Sequence, residues 1–272
     1  MSEIEDRQNR MKENLSKIRH KLIIISGKGG VGKSTVAVNI AYGLADKGYK
    51  VGIMDIDFHG PNVAKMLGIE REDLKDLGEG IEPVKVTENL KAISLALMNS
   101  DPDQPVIWRG PLKMVAVQQL LGDVHWGELD FLIIDSPPGT GDEPLNVCQV
   151  IDDLDGALVV TTPQDVAILD SRKSVLFARE LEVPVLGIIE NMSGFTCPHC
   201  HKQINLFKKG GGEKAAGELE VPFLGSIPLA LEASESGDSG KPVIHFRREG
   251  QTAQSMELIL DRMLSEIAKK GL

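Results

Sequence analysis

Short, almost continuously apolar runs recur along the chain, and segments with helical spacing separate them. Four of the runs read LIII, FLIID, ALVVT and VLGIIE. Continuous apolar runs are typical of strands that are buried on both faces of a parallel sheet, whereas alternating runs are typical of half-exposed strands. The predicted strands are Leu22–Ser26, Val51–Asp55, Leu90–Leu97, Phe131–Asp135, Ala157–Thr161, Val185–Glu190 and Phe223–Ser226.

Helical periodicity fills the intervals between these strands. The clearest predicted helices are Lys33–Asp46, Leu112–Leu121, Val166–Leu181 and Gln251–Lys270. Alternation of strands and helices predicts an α/β fold, in which a doubly wound, mostly parallel sheet carries helices on both faces. Ligands of such a fold bind at the carboxyl ends of the strands.

We expect one domain over residues 21–272, preceded by a polar helix or extension over residues 1–20. A chain of 272 residues suits a single well-buried α/β domain. A polar, irregular segment at about 193–209 interrupts the pattern, and we interpret it as an insertion that projects from the sheet edge. Asp101–Pro105 and Ser234–Lys241 are predicted loops.

A glycine-rich segment, GKGGVGKST, follows the first predicted strand. It satisfies G-x-x-x-x-G-K-[ST] between a strand and a helix, the context that a P-loop requires. Glycines let backbone N–H groups surround phosphates, and the N-terminus of the next helix favours negative charge. We expect Lys33 on the β- and γ-phosphates of ATP and the Ser34 hydroxyl on Mg²⁺. The predicted nucleotide-binding residues of this loop are Gly27, Lys28, Gly29, Gly30, Val31, Gly32, Lys33, Ser34 and Thr35.

Three aspartates close two of the apolar strands. Asp55 and Asp57 lie in VGIMDIDFHGPN, and Asp135 ends the run FLIID. Singly, each could be a helix N-cap or a loop former, but their joint position beside a P-loop suits Mg²⁺ coordination, directly or through water. We expect Asp57, in preference to Asp55, to orient the attacking water, so that Lys33, Asp57 and Asp135 serve hydrolysis.

The cysteines indicate metal or redox chemistry. Cys197 and Cys200 form a CxxC flanked by His199 and His201, whereas Cys148 lies on an apolar helical pattern typical of a buried thiol. A secreted disulfide framework does not have this spacing. One CxxC supplies two thiolates, while an iron–sulfur cluster or a structural zinc takes four ligands, which a two-fold dimer would supply. A shared cluster, a Zn²⁺ site and a redox dithiol all stay open on these residues.

Charge and hydropathy argue against two classes of partner, nucleic acids and membranes. The net charge of -10, with a pI of about 5.2, leaves no chain-wide basic field for nucleic acid. The charged N-terminal segment has no apolar core of a signal peptide, and nowhere do eighteen apolar residues run together. We therefore expect a cytoplasmic protein with neither a nucleic-acid nor a membrane partner.

The phosphate loop carries a second lysine, Lys28, and in this respect resembles the deviant Walker A family that includes the nitrogenase iron protein, MinD and ParA. In that family the early lysine crosses a dimer interface to the nucleotide of the partner. The resemblance therefore implies that nucleotide binding and dimerisation are coupled, and it adds Lys28 to the catalytic residues.

Five further motifs are similar to the Mrp/ApbC group of iron–sulfur carrier ATPases. After GKGGVGKST they read, in order, DIDFHGPN, IIDSPPGTGDEPL, VVTTPQDVAILDSRKSV, GIIENMSGFTCPHC and GSIPL, and the whole match runs from about Lys21 to Ile227. This resemblance implies a homodimer that bridges one [4Fe-4S] cluster through Cys197 and Cys200. It also implies slow ATP hydrolysis tied to loading the cluster or passing it to apo iron–sulfur client proteins. Asn191 matches the position that reads the adenine edge, although an asparagine there could also be a cap.

Two other functions fit part of the sequence. A reductase component like the nitrogenase iron protein also holds a cluster between two P-loop subunits, but its ligand cysteines are not a CxxC pair. A MinD- or ParA-type switch needs a membrane-binding C-terminal helix or DNA-facing basic residues. Asp261 and Glu266 interrupt the C-terminal apolar pattern, and the chain is acidic. Neither class explains the CxxC. A MinD- or ParA-like switch therefore stays an alternative only if the CxxC binds zinc and links two chains.

Overall fold

The structure is a computed structural model, and it describes residues 3–78, 80–98, 110–151, 153–197, 199–200, 202–204 and 206–271. The predicted loop Asp101–Pro105 lies outside the described residues.

Strands and helices alternate along the chain, as the sequence pattern predicts. The strands are β1 Ile18–Ile25, β2 Val51–Asp55, β3 Lys75–Asp76, β4 Ile81–Glu82, β5 Val84–Lys85, β6 Leu90–Ser94, β7 Leu129–Asp135, β8 Gly156–Thr161, β9 Val185–Glu190, β10 Phe195–Thr196, β11 Gln203–Ile204 and β12 Phe223–Ser226. The helices are α1 Glu3–Ser16, α2 Lys33–Asp46, α3 Val63–Met66, α4 Gly110–Gly122, α5 Asp142–Val150, α6 Asp165–Glu180, α7 Gly211–Glu218, α8 Leu231–Asp238, α9 Val243–Phe246 and α10 Gln251–Lys269, with a 3-10 helix at Leu95–Met98.

Eight strands form the central sheet, in the order β12-β9-β8-β1-β7-β2-β6-β5. All neighbours are parallel except β5 and β6, which are antiparallel. The strand β1 lies near the centre, between β7 and β8, so the loop after it opens at the edge where ligands bind in this class of fold. The predicted fold class, a mostly parallel sheet covered by helices, is confirmed.

Each face of the sheet carries its own apolar core. Along β1, Leu22 and Ile24 enter the core under α2 and α10, while Ile23 and Ile25 enter the core under α1, α4 and α6. All four side chains are almost fully buried. A strand with helices on both faces has no position left for water, which explains why its sequence is continuously apolar.

The structure differs from the predicted elements at three places. The strand β1 begins at Ile18, before the predicted Leu22, and so takes in the end of the predicted extension over residues 1–20. The predicted strand Leu90–Leu97 ends at Ser94, because the Ser94 hydroxyl accepts a hydrogen bond from the Ala96 N–H and turns the chain into the 3-10 helix.

The predicted loop Ser234–Lys241 is wrong over its first half. Residues up to Asp238 belong to α8, a helix with a polar outer side that buries Ser236 and packs Gly237 against Met66. A short helix that buries so few residues shows no apolar periodicity in a polar sequence.

The insertion at about 193–209 contains a small hairpin in which β10 and β11 pair antiparallel. This two-stranded sheet is separate from the central one. Among the helices that the structure describes, none is both long and apolar enough to cross a bilayer.

Candidate functional site

The loop after β1 forms a cradle at the carboxyl edge of the sheet. Gly30 and Gly32 have φ of 78° and 82°, a conformation that L side chains rarely adopt. A Cβ on Gly27 would overlap the backbone of Asp170 in α6, so this position needs glycine for space. The glycine spacing therefore reflects backbone conformation at two positions and close packing at a third.

The P-loop lysine is paired with a carboxylate inside the protein. The Lys33 Nζ lies 2.5 Å from the Oδ1 of Asp135, and both side chains are buried. Burial raises the pKa of Asp135, while the charge of Lys33 and hydrogen bonds from Lys33 and Ser34 oppose that rise. The other oxygen, Asp135 Oδ2, is buried without a hydrogen-bond partner among the residues that the structure describes.

Asp55 is the register partner of Asp135 across β2 and β7. Its carboxylate accepts hydrogen bonds from the Asp57 N–H at 3.1 Å, the Val63 N–H at 3.1 Å and the Ser94 hydroxyl at 2.9 Å. Burial, with a smaller contribution from the charge of Asp135, raises the pKa of Asp55 to about 7. Since three donors occupy its oxygens, Asp55 anchors the loop after β2 and offers little to a ligand.

Asp57, in contrast, lines the cavity of the phosphate cradle. This cavity has a volume of about 170 Å³ and is bordered by the P-loop, Asp57 and Pro138. The Oδ1 of Asp57 accepts from the backbone N–H groups of His59 at 3.0 Å and Gly60 at 3.3 Å, which hold the carboxylate in place. Of the two aspartates after β2, the geometry favours Asp57 for contact with a ligand.

The donors at this edge fit a magnesium ion. Mg²⁺ prefers oxygen ligands and binds through few carboxylates, with water and phosphate completing its octahedron. The Ser34 hydroxyl, the Asp57 carboxylate and the unpartnered Asp135 Oδ2 are oxygens at one site. A buried carboxylate oxygen without a donor is costly unless a cation or water reaches it.

A second cavity, of about 300 Å³, continues from the cradle. It shares Gly32, Thr35, Asn62 and Met66 with the first cavity and extends to Asn191 and to the segment Ile227–Ala230. The buried Asn191 donates from Nδ2 to the Val31 carbonyl at 2.8 Å, which leaves its Oδ1 as an acceptor. Contiguous polar and apolar cavities of this kind suit the phosphates and the base of one nucleotide.

Lys28 is placed differently from Lys33. It lies at the half-exposed tip of the loop, next to the exposed Gly29 and Gly30, and its ammonium forms no ion pair with any described residue. The loop thus holds one lysine buried against Asp135 and a second, half-exposed lysine near its tip.

The two cysteines of the CxxC occupy the turn after β10 and are free thiols, half-buried for Cys197 and exposed for Cys200. Hydrogen bonds from the backbone N–H groups of Cys200 and His199 and from the Cys200 side chain lower the pKa of Cys197, which favours the thiolate that binds metals. No group of three or more His, Cys, Asp or Glu side chains that could hold a metal ion occurs in the part of the chain that the structure describes, so the two thiols have no third ligand of these types there. Cys148 is different, because burial in α5 raises the pKa of its thiol to about 11.

Comparison with known proteins identifies the family of this chain. The ParA family described as NUBPL iron-transfer P-loop NTPase matches residues 17–264. The chain belongs to this family.

Relatives named iron-sulfur cluster carrier protein include one from Methanocaldococcus jannaschii, 49% identical over 96% of this chain and 89% of its own length. A relative from Nematostella vectensis is named cytosolic Fe-S cluster assembly factor NUBP2 homolog and is 42% identical over 92% of this chain and 94% of its own length. The family resemblance drawn from the motifs is thus confirmed.

Solved structures agree with the fold. A nucleotide-binding protein of Archaeoglobus fulgidus in complex with ADP is 37% identical and superimposes with a TM-score of 0.76 over 86% of this chain and 91% of its own. The cell-division ATPase MinD of Pyrococcus furiosus, at 23% identity, has a TM-score of 0.68 over 91% of this chain and 99% of its own. Membership makes the chain a P-loop NTPase of a family linked to iron–sulfur cluster carriage.

We predict that Asp55→Asn changes the pH dependence of stability. The folded-state pKa of Asp55 is raised, so the folded protein holds more protons than the unfolded chain between about pH 4 and 7, and this group lowers stability as pH rises. We would measure the free energy of unfolding by urea without nucleotide and Mg²⁺. As pH rises towards about 7, the difference between variant and wild type should shift in favour of the variant by at most about 1.4 kcal/mol per pH unit.

Asp73→Asn, at an exposed site, is the matched control and should follow the wild type at every pH. If Asp55→Asn also runs parallel to the wild type from pH 5 to 7.5, the raised pKa of Asp55 is wrong.

Proposed function

We propose that this chain is an ATP-hydrolysing iron–sulfur cluster carrier that acts as a homodimer. In this proposal Cys197 and Cys200 of both protomers hold one bridging [4Fe-4S] cluster, which the dimer passes to apo client proteins. The observation that carries the proposal is the CxxC itself. It is a pair of accessible thiols, one with a lowered pKa, and the described part of the chain adds no third ligand to it.

Four thiolates are the usual complement of a [4Fe-4S] cluster, and a two-fold axis through the CxxC of two chains supplies four. An exposed apolar surface supports a second copy at this place. On α6, Val166 and Leu169 are 65% and 61% exposed, and on the insertion Leu206 is 60% exposed. An ion pair between Lys208 and Asp165 joins these two elements.

The apolar surface also borders the nucleotide site, because Gly27 of the P-loop packs against Asp170 of α6. Exposed apolar side chains on two elements joined in this way are typical of an interface. We propose that the second protomer covers this surface, and that this brings the half-exposed Lys28 of each chain to the nucleotide of the other.

Within one protomer, Lys33 exchanges partners when ATP binds. The β- and γ-phosphates compete with Asp135 for its ammonium, and a carboxylate that loses this cation becomes a ligand site for a metal. The proposed Mg²⁺ ligands are Ser34, Asp57 and Asp135, directly or through water, with Asp55 behind them as an anchor. Mg²⁺ would supply neutralisation of phosphate charge.

Asp57 lies in the same cavity, with one oxygen held by backbone N–H groups. We propose that its other oxygen accepts a hydrogen bond from the attacking water and orients it. Asn191 offers its Oδ1 to the amino group of adenine, while the nine residues from Gly27 to Thr35 surround the phosphates. The name of the Nematostella relative supports a cytosolic location for this chain too.

The two P-loop lysines should respond differently to alanine substitution. Lys33→Ala should abolish ATP binding or hydrolysis, because the phosphates lose their cis cation. Lys28→Ala should still bind nucleotide but hydrolyse it more slowly, because the missing lysine acts on the partner. Nucleotide affinity by fluorescence titration and phosphate release should be measured on each variant.

Mixing the two variants tests the trans role directly. In a mixed dimer, the chain with Lys28→Ala keeps its own Lys33 and receives Lys28 from its partner, so one intact site forms. Random exchange should restore about a quarter of the wild-type sites. If mixing restores no hydrolysis while the chains do exchange, Lys28 does not act across the dimer.

Cysteine substitutions separate the proposed metal site from the partly buried thiol of Cys148. Anaerobic reconstitution with iron and sulfide should give about four irons per dimer. Cys197→Ala and Cys200→Ala should each lose the iron, whereas Cys148→Ala should keep it and serves as the matched control. ATP binding should survive all three changes, because the phosphate cradle lies elsewhere on the sheet edge. A chain that takes up zinc but neither iron nor sulfide is instead a zinc-stapled ATPase.

A further inference from the structure

Glu190 is a fully buried carboxylate at the carboxyl end of β9, directly before Asn191. It forms no ion pair with any residue that the structure describes. Three hydrogen bonds compensate its burial. The Ser193 hydroxyl donates to Oε1 at 2.5 Å, the Gly210 N–H donates to Oε1 at 3.0 Å, and the Gly212 N–H donates to Oε2 at 2.6 Å. A buried carboxylate is tolerable only where donors of this kind replace water.

These three donors stand at the two ends of the insertion that carries the CxxC. Ser193 begins the segment that leads through β10 to Cys197. Gly210 and Gly212 stand where the chain returns and α7 begins, so the helix N-terminus adds a favourable field for the negative charge. One carboxylate therefore ties both ends of the insertion to the sheet.

The start of the insertion is hydrogen-bonded to a wall of the proposed base cavity. The Ser193 N–H donates to the Ile227 carbonyl at 2.9 Å, and the Leu229 N–H donates to the Gly194 carbonyl at 2.9 Å. Ile227 and Leu229 line the cavity together with Asn191. As long as the hydrogen bonds to Glu190 hold, a ligand that displaces this wall also displaces the strand leading to Cys197.

We infer that Glu190 is a positioning residue that couples nucleotide occupancy to the placement of the CxxC. This inference rests on the proposed function, because the placement of the CxxC matters only if the CxxC holds the cluster. The carboxylate of Glu190 lines neither of the two cavities. It acts by holding the base-cavity wall and both ends of the insertion as one unit, so that a change at Asn191 and Leu229 reaches Cys197.

The test measures the reaction rate of the CxxC thiols in the iron-free protein, and it therefore does not depend on cluster uptake. A Cys148→Ala background leaves Cys197 and Cys200 as the only thiols. Anaerobic reaction with a disulfide dye is followed without nucleotide and with saturating Mg·ADP or Mg·ATP. We expect nucleotide to change the rate by about fivefold.

Glu190→Gln should bring the ratio of the two rates close to one. An amide offers one acceptor oxygen, so at least one of the backbone donors at Gly210 and Gly212 loses its partner. Ser193→Ala removes a single donor and should give an intermediate ratio. Glu180→Gln, at an exposed site in α6, is the matched control and should keep the wild-type ratio.

The inference is overturned if nucleotide leaves the wild-type thiol rate unchanged, or if Glu190→Gln keeps the wild-type ratio at saturating nucleotide. Should Glu190→Gln fail to fold or to bind nucleotide, Ser193→Ala decides, and a wild-type ratio in that variant overturns the inference. Failure of the proposed function has a separate signature, namely a wild type whose thiols respond to nucleotide but which takes up no iron and sulfide.

Discussion

Parallel strands all end at the same edge of their sheet, and the chemistry of this protein depends on that constraint. Register places Asp55 beside Asp135, and the loop after the neighbouring β1 brings Lys33 to the same point. At the other side of β1, Glu190 ends β9 and holds the insertion with the CxxC. Strand pairing alone thus brings together residues that are far apart in the chain.

The same edge concentrates buried charge, which is costly. Asp55, Asp135 and Glu190 are fully buried, and Lys33 is nearly so. Lys33 compensates Asp135, and backbone N–H groups with hydroxyls compensate Asp55 and Glu190. The compensation is incomplete at Asp135 Oδ2, and this is the oxygen that we propose binds the metal ion. Buried charges of this kind are understandable at a site that must accept a charged ligand.

Much of the fold and of the phosphate site could be predicted from the sequence, because both depend on local signals. Burial on both faces makes strands such as β8 and β9 continuously apolar, and the cradle requires glycine at Gly30 and Gly32 by conformation. The role of Glu190 could not be predicted. A glutamate after an apolar run looks like an ordinary strand end, and one of its partners lies 22 residues away. The end of β6 and the helix α8 are not predicted either. A hydrogen bond from the Ala96 N–H to the Ser94 hydroxyl ends β6, and α8 buries too little of a polar sequence to show helical periodicity. The proposed second protomer is also beyond a single chain, because the described residues of one chain show only two of the four thiolates that the proposal requires.

The central claim is that two CxxC pairs share one cluster, and native mass spectrometry of the anaerobically reconstituted protein tests it most directly. The account predicts a species of twice the 29.5 kDa chain mass that carries the mass of about four irons and four sulfides and loses them on conversion to monomers. A monomer that keeps its own metal, or a dimer that carries zinc without sulfide, would contradict it.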